Sequence, residues 1–213
     1  VFRAAAPNLL AGNAMVLKHA PNVLGCAQDI TDLWQQAGVP AGLFADLPIH
    51  VEDSPAVIAH PKVRGVTLTG SDRAGRIVAG QAGQALKKWV LELGGSDPGI
   101  VLHDANLQLA VDRCVSSRML NCGQVCIAIK RFIVVADHYD TMREAVHERL
   151  CALQPGSPDD PATTLGPMAR QDLRDALHDQ VQQSIECGAA LTLGGTIPDQ
   201  AGWWYPPTML ENV

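Results

Sequence analysis

A chain of 213 residues, 47% hydrophobic and 18% charged, can bury one large core or two smaller ones, and this composition excludes a disordered segment. The formal net charge of -6, with no basic run and no interleaved aromatic patch, argues against nucleic acid or an anionic membrane as partner and leaves a small molecule. No apolar run approaches the roughly 18 to 20 residues that span a bilayer, and the start lacks a signal-peptide pattern, so a cytoplasmic location is expected.

The chain opens on Val1 and a helix-like RAAAPNLLAG segment, which reads as the start of a piece of something longer. Ala14 to Lys18 (AMVLK) is a short apolar run ending in lysine. Leu24, Ala27, Ile30, Leu33, Trp34 and Ala37 then recur at helical spacing, with Gly38 and Pro40 as stop signals. Arg64 to Thr69 (RGVTLT) predicts a second strand, Gly70 and Ser71 a turn, and Asp72 to about Lys88 a second helix. The pattern restarts with a strand near Gly99 to His103, a helix near Leu107 to Leu120 and the cysteine segment NCGQVC. A strand over Arg131 to Ala136 and a helix through about Leu153 follow. Then come an exposed, mobile loop PGSPDDPATT, a helix over Met168 to Gly188 and a strand over Ala190 to Gly195. Strands alternating with helices predict a largely parallel, doubly covered α/β sheet, in two lobes meeting near Gly94 and Gly95.

Six dispersed cysteines (Cys26, Cys114, Cys122, Cys126, Cys151, Cys187) are expected as reduced thiols. Cys126 lies where NCGQ meets a short apolar stretch predicted as helical, and a helix N-terminus favours a thiolate; the ordinary alternative is a buried structural cysteine. Cys122 and Cys126 could share one helical face as metal ligands, but no second Cys/His pair at zinc spacing completes such a site, so no metal is expected. Glu92 lies in the apolar stretch WVLEL, where burial would raise a carboxylate pKa and suit it to base chemistry, against the common fate of a solvated glutamate. Gly94 and Gly95 permit close approach of backbone or ligand. Gly70, Ser71 and Gly75 lie at a strand-to-helix turn that offers amides to a phosphate, though a plain N-cap reads the same way and the GxGxxG fingerprint is absent. Lys18 leaves the first strand, where it could meet a ribose hydroxyl or phosphate, or only solvent. Trp34 reads as core or groove lining. His103, His138, His147 and His178 are scattered, without a Ser/His/Asp order.

Taken together, GNAMVLKHAPN, HPKVRGVTLTGSDRAG, KKWVLELGGSDPGIVLHDANL, NCGQVCIAIKRFIV, LGPMAR and YPPTMLENV resemble the aldehyde dehydrogenase superfamily in order and spacing. KHAPNVLGCAQ with ELGGSDP looks most like its bacterial succinate-semialdehyde dehydrogenase branch. The resemblance implies a partial NAD(P)-binding domain over 1–95 and a partial catalytic domain over 96–213. It makes Cys126 the nucleophile and Glu92 the general base. Lys18 would contact the adenosine ribose, Gly70, Ser71 and Gly75 the pyrophosphate, and Leu93 and Gly94 the nicotinamide side. The implied reaction oxidises an aldehyde, expected to be succinate semialdehyde, through a thiohemiacetal and a thioester, with NAD or NADP as hydride acceptor, in a homo-oligomer.

Pro21 stands where NAD-preferring members commonly have a ribose-binding glutamate, which leaves NAD versus NADP open. Leu120 stands where some succinate-semialdehyde members place a substrate-binding arginine, with Arg118 nearby. Gly99 replaces the usual aromatic of SDPFIV, a loss of packing volume. The family's WN segment, which supplies an oxyanion asparagine, and its EIFGP segment, whose glutamate binds the nicotinamide ribose, fall outside the 213 residues; Asn8, Asn13 and Asn121 do not match that asparagine. Two other readings follow: a non-catalytic portion of such an enzyme, or a cysteine-dependent esterase or acyltransferase.

Overall fold

The computed structural model describes residues 1–213 and divides into two compact units, Val1–Gly94 and Gly95–Val213. In the first unit, α1 (Phe2–Leu10) leads into β1 (Met15–Leu17), α2 (Leu24–Gln36) and β2 (Phe44–Asp46), and β1 pairs β2 in parallel from Met15↔Phe44 to Leu17↔Asp46. The inward stripe of α2 is Ala27, Ile30, Thr31 and Trp34, a 3.6-residue recurrence, whereas Leu24 and Leu33 lie off it and are more than half exposed. Trp34 carries the packing: its ring lies 5.5 Å from Phe2 of α1 and 6.0 Å from Phe44 of β2, tilted in both cases. Trp34 is therefore a core residue that joins three elements.

After α3 (Ser54–Ala59), β3 (Gly65–Thr69), α4 (Asp72–Gln84) and β4 (Lys88–Glu92) form a second parallel βαβ unit, in register from Gly65↔Lys88 to Thr69↔Glu92. The helix expected to reach Lys88 stops at Gln84. Leu86 adopts φ 53°, its side chain almost fully exposed, and the Lys87 amide donates back to Ala82 O at 2.9 Å, a left-handed stop that the apolar pattern conceals. The residues KWVLE then extend as β4, as suits a run containing Trp and Val.

The second unit opens with a third parallel pair, β5 (Asp97–Val101) and β6 (Ile129–Val134), connected through α5 (Leu107–Met119). α6 (Tyr139–Cys151), α7 (Gln171–Glu186), β7 (Ala190–Leu193) and β8 (Met209–Glu211) follow, and β7 pairs β8 in antiparallel fashion, which the alternating pattern does not predict. Val101, Val111, Cys114, Val115, Met142, Val146 and Leu150 form the core between β5, α5 and α6. Burial raises the Cys114 thiol pKa. The volume missing at Gly99 is taken up here, since a Cβ on it would stand 3.0 Å from Ile129 and 3.3 Å from the Cys114 sulfur.

The largely parallel α/β arrangement expected is present in β1–β2, β3–β4 and β5–β6. The strands pair as four separate two-stranded sheets, and Val90, Ile100 and Ile133 keep half or more of their surface exposed. The loop after α6 is exposed as expected but tied at its ends. Gly156 N donates to Leu165 O at 3.0 Å, Thr164 N to Gln154 O at 3.0 Å, and Pro155 bridges Leu165. No helix is long and apolar enough to cross a membrane.

Met142, at 2% exposure, has the largest fully buried side chain, and its truncation leaves a cavity. Met142→Ala is expected to cost about 2 to 5 kcal/mol, read as a lower urea midpoint; an unchanged midpoint would contradict this packing.

Candidate active site

Parallel pairing of Thr69 with Glu92 ends β3 and β4 together, so the residues past both strands meet. Gly70 N donates to Glu92 O at 3.0 Å. Ser71 is the N-cap of α4, its hydroxyl accepting from Ala74 N at 3.3 Å, as Ser at this position is suited to do. Asp72 opens the helix, and its Oδ1 accepts from Gly94 N at 3.5 Å. Gly75 is buried one turn further on, where a Cβ would stand 2.7 Å from Leu93 Cδ2. Gly75 therefore serves close packing of α4 on the residue after Glu92, with Leu93 half-buried against it. Gly70, Ser71, Gly75, Glu92, Leu93 and Gly94 are thus one cluster, and Asp72, which the motif reading passed over, joins two of its arms.

The Glu92 carboxylate sits at the end of β4 with 43% of its side chain exposed, 2.9 Å from the Arg3 guanidinium. The burial expected from WVLEL is absent, because the strand's outer face is open and a cation from α1 is in reach. Lys18 follows β1, on the other strand pair, and its ammonium donates to His19 O at 2.5 Å. The ring of His19 is buried, its Nδ1 bonded to Ala20 O at 2.8 Å and its Nε2 3.8 Å from Asp46 Oδ2 without a hydrogen-bond partner. The other histidines have structural contacts: His138 bonds the carbonyl of His103 at 2.8 Å, and His178 the Tyr205 hydroxyl at 3.1 Å.

In the second unit, α5 ends at Met119 and gives way to a tight turn over Leu120–Gly123, in which Asn121 (φ 51°, ψ 42°) and Cys122 (φ 56°, ψ 33°) are both left-handed. Two successive non-glycine residues in this region carry strain, which must be held by surrounding bonds. Asn121 and Gln124 supply two of these, each side-chain amide donating to the other's carbonyl at 3.4 Å. Arg118 donates to Gly123 O, and Gln124 Oε1 accepts from Ala169 N at 3.0 Å, which ties the turn to LGPMAR. Arg118 is occupied within the turn, and partial burial lowers its pKa.

Cys126 does not start a helix. It occupies the corner of a turn closed by Ala128 N donating to Val125 O at 3.2 Å, directly before β6. IKRFIV is rich in β-branched and aromatic residues and extends as a strand, so the helix-dipole argument for the thiol falls and Cys122 and Cys126 share no helical face. The thiol is half-buried, and the Cys126 amide makes no hydrogen bond within the chain. Gly95 has a steric reason for its identity: a Cβ there would stand 2.5 Å from the Cys126 carbonyl oxygen. Backbone is what approaches this glycine.

The Aldehyde dehydrogenase family's sequence profile matches residues 1–213. The chain belongs to the aldehyde dehydrogenase family. It is 50% identical over all 213 residues to the succinate semialdehyde dehydrogenase [NAD(P)+] Sad of Escherichia coli K12, covering 46% of that protein. It is 45% identical over the same span to the succinate-semialdehyde dehydrogenase [NADP(+)] of Deinococcus radiodurans, covering 45% of it. Among solved structures, succinic semialdehyde dehydrogenase from Streptococcus pyogenes in complex with NADP+ superposes with a TM-score of 0.92 at 40% identity, over 98% of this chain and 46% of that one. The chain spans about half the length of the curated relatives it matches.

The family chain's two glycine positions of opposite kind allow a direct comparison. Gly95→Ala places a Cβ against fixed backbone and is expected to destabilise by roughly 1 to 3 kcal/mol. Gly80→Ala, in α4 with nothing within 4 Å, should stabilise by about 0.5 to 1 kcal/mol. Chemical denaturation of both variants checks the pair, and equal effects would refute the contact at Cys126.

Proposed function

We propose that these residues belong to an NAD(P)-dependent aldehyde dehydrogenase that oxidises succinate semialdehyde to the dicarboxylic acid, with Cys126 as nucleophile and Glu92 as general base. The observation that carries this reading is 50% identity, across every residue of the chain, to a relative named for that activity. Lys18, Gly70, Ser71, Gly75, Leu93 and Gly94 are proposed to hold the dinucleotide, in a homo-oligomeric cytoplasmic enzyme.

The fit of a dinucleotide is supported by the α4 terminus. The Ser71 hydroxyl is committed to Ala74, which leaves the first-turn amides of Asp72 and Arg73 for an anion. Asp72 turns its carboxylate to the Gly94 amide, and the Arg73 and Arg76 side chains are exposed on the same helix. Such a terminus suits a pyrophosphate. Gly75 brings α4 against Leu93, which places the residue after the base within the same cluster. Pro21 offers no carboxylate to ribose hydroxyls, so nothing in that position repels a 2′-phosphate.

In the reaction, the Cys126 thiolate attacks the aldehyde carbon; a carbon–sulfur bond forms and the carbonyl π electrons move to oxygen. The unbonded Cys126 amide is positioned on the same residue to donate to that oxyanion. NAD(P)+, when bound, supplies the hydride acceptor. Glu92 then takes a proton from the water that attacks the acyl carbon, and the carbon–sulfur bond breaks to return the thiol. Arg3, paired with Glu92 at 2.9 Å, must release or share the carboxylate for this step.

The test uses an enzyme carrying this sequence, mixed with succinate semialdehyde and NAD+ or NADP+, with reduced cofactor followed by absorbance. Cys126→Ala is expected to abolish the signal, and surviving turnover would sink the nucleophile assignment. Glu92→Gln should slow acyl hydrolysis more than acylation, so a pre-steady-state burst of reduced cofactor persists while steady turnover falls. Loss of the burst together with the steady rate would give Glu92 a different role. Ester hydrolysis that depends on Cys126, without any cofactor reduction, would favour the esterase reading.

A further inference from the structure

The turn that carries Cys126 brings three backbone oxygens together beside one side-chain cation. Val125 O accepts from Ala128 N, but the Cys126 carbonyl, pressed against Gly95, receives no backbone N–H. Lys130, the second residue of β6, folds its side chain back over this turn. Its ammonium lies 3.4 Å from Val125 O, 3.4 Å from Cys126 O and 3.1 Å from Ala128 O. An ammonium has three N–H donors and no acceptor, so three converging carbonyls match its full capacity. Lys130 is also the single side chain that donates to the peptide of Cys126.

We propose that Lys130 is a positioning residue for the Cys126 thiol, fixing the direction of the Cys126 side chain by clamping the carbonyls of the turn on either side of it. This rests on the reading of Cys126 as nucleophile. Gly95 and Lys130 act on the same oxygen from two directions: the glycine leaves room for the carbonyl, and the ammonium holds it there. The neighbouring Arg131 has a parallel task on the facing strand entry, donating to Ser96 O at 2.9 Å. Successive cations of β6 therefore fasten the two backbone segments that meet at Gly95 and Cys126. Arginine at 130 keeps the charge and several donors but in a planar fork, so it reproduces the clamp in part, whereas methionine keeps the stem and removes every donor.

The experiment measures kcat, KM for the cofactor and segment-resolved amide hydrogen exchange in an enzyme carrying this sequence and in its Lys130→Met, Lys130→Gln and Lys130→Arg variants. Lys130→Met is expected to lower kcat by about ten- to a hundredfold with cofactor KM unchanged, as a misdirected reacting group does. Exchange should rise in residues 121–129 and not in α5 or α6, and the loss in kcat should run Met above Gln above Arg. A kcat for Lys130→Met within about twofold of the parent overturns the proposal. So does an equal loss in all three variants accompanied by exchange rising throughout the unit, which is a folding effect. Cys126→Ala separates the two readings: if it retains turnover the nucleophile assignment fails, and if it is inactive while Lys130→Met is unimpaired the clamp alone fails.

Discussion

The two ends of β3 and β4 coincide because the strands run parallel in register from Gly65↔Lys88 to Thr69↔Glu92. A parallel pair needs a crossover, and α4 supplies it, so the strand-to-helix turn at Gly70 and Ser71 must lie beside whatever follows Glu92. The bond from Gly70 N to Glu92 O closes that geometry at 3.0 Å. The same constraint acts at the opposite end of β5 and β6: pairing of Asp97 with Ile129 brings the residues just before each strand together, and these are Gly95 and Cys126. Strand register thus builds one candidate cluster after a pair of strands and the other before a pair.

Register places the backbone, but the Cys126 turn needs further support. Asn121 and Cys122 are left-handed, and the carbonyls of Gly123 and Cys126 have no backbone donor from the elements around them. Side chains meet the deficit, with Arg118 on Gly123 and Lys130 on Cys126. Cationic donors make stronger bonds than neutral ones, which suits a segment that holds two left-handed residues in succession.

Much of the fold is legible along the chain because helices and strands announce themselves by period. The stripe of Ala27, Ile30 and Trp34 and the extended run GVTLT needed no tertiary information. Boundaries were less legible. The stop of α4 depends on Leu86 adopting a left-handed φ, which no glycine or proline marks, and the helix expected at Cys126 gives way to β6 because pairing with β5 outweighs a short apolar run. The antiparallel β7–β8 pair joins residues separated by a loop whose pattern carries no hairpin signal.

The sequence by itself determined the family, through motifs whose residue types are chemically specific: a cysteine in NCGQVC, a glutamate in ELGG, a glycine and serine before a helix. Tertiary structure alone decided why several of those residues have their identities. Gly75 is small for Leu93, Gly95 is small for the Cys126 carbonyl, and Asp72 bonds an amide twenty-two positions away. Lys130, unremarked in the sequence, donates to the carbonyl of Cys126. The physical reason is that a motif records chemistry, which resides in a side chain, whereas close approach and carbonyl satisfaction are relations between segments that exist only once the strands have paired.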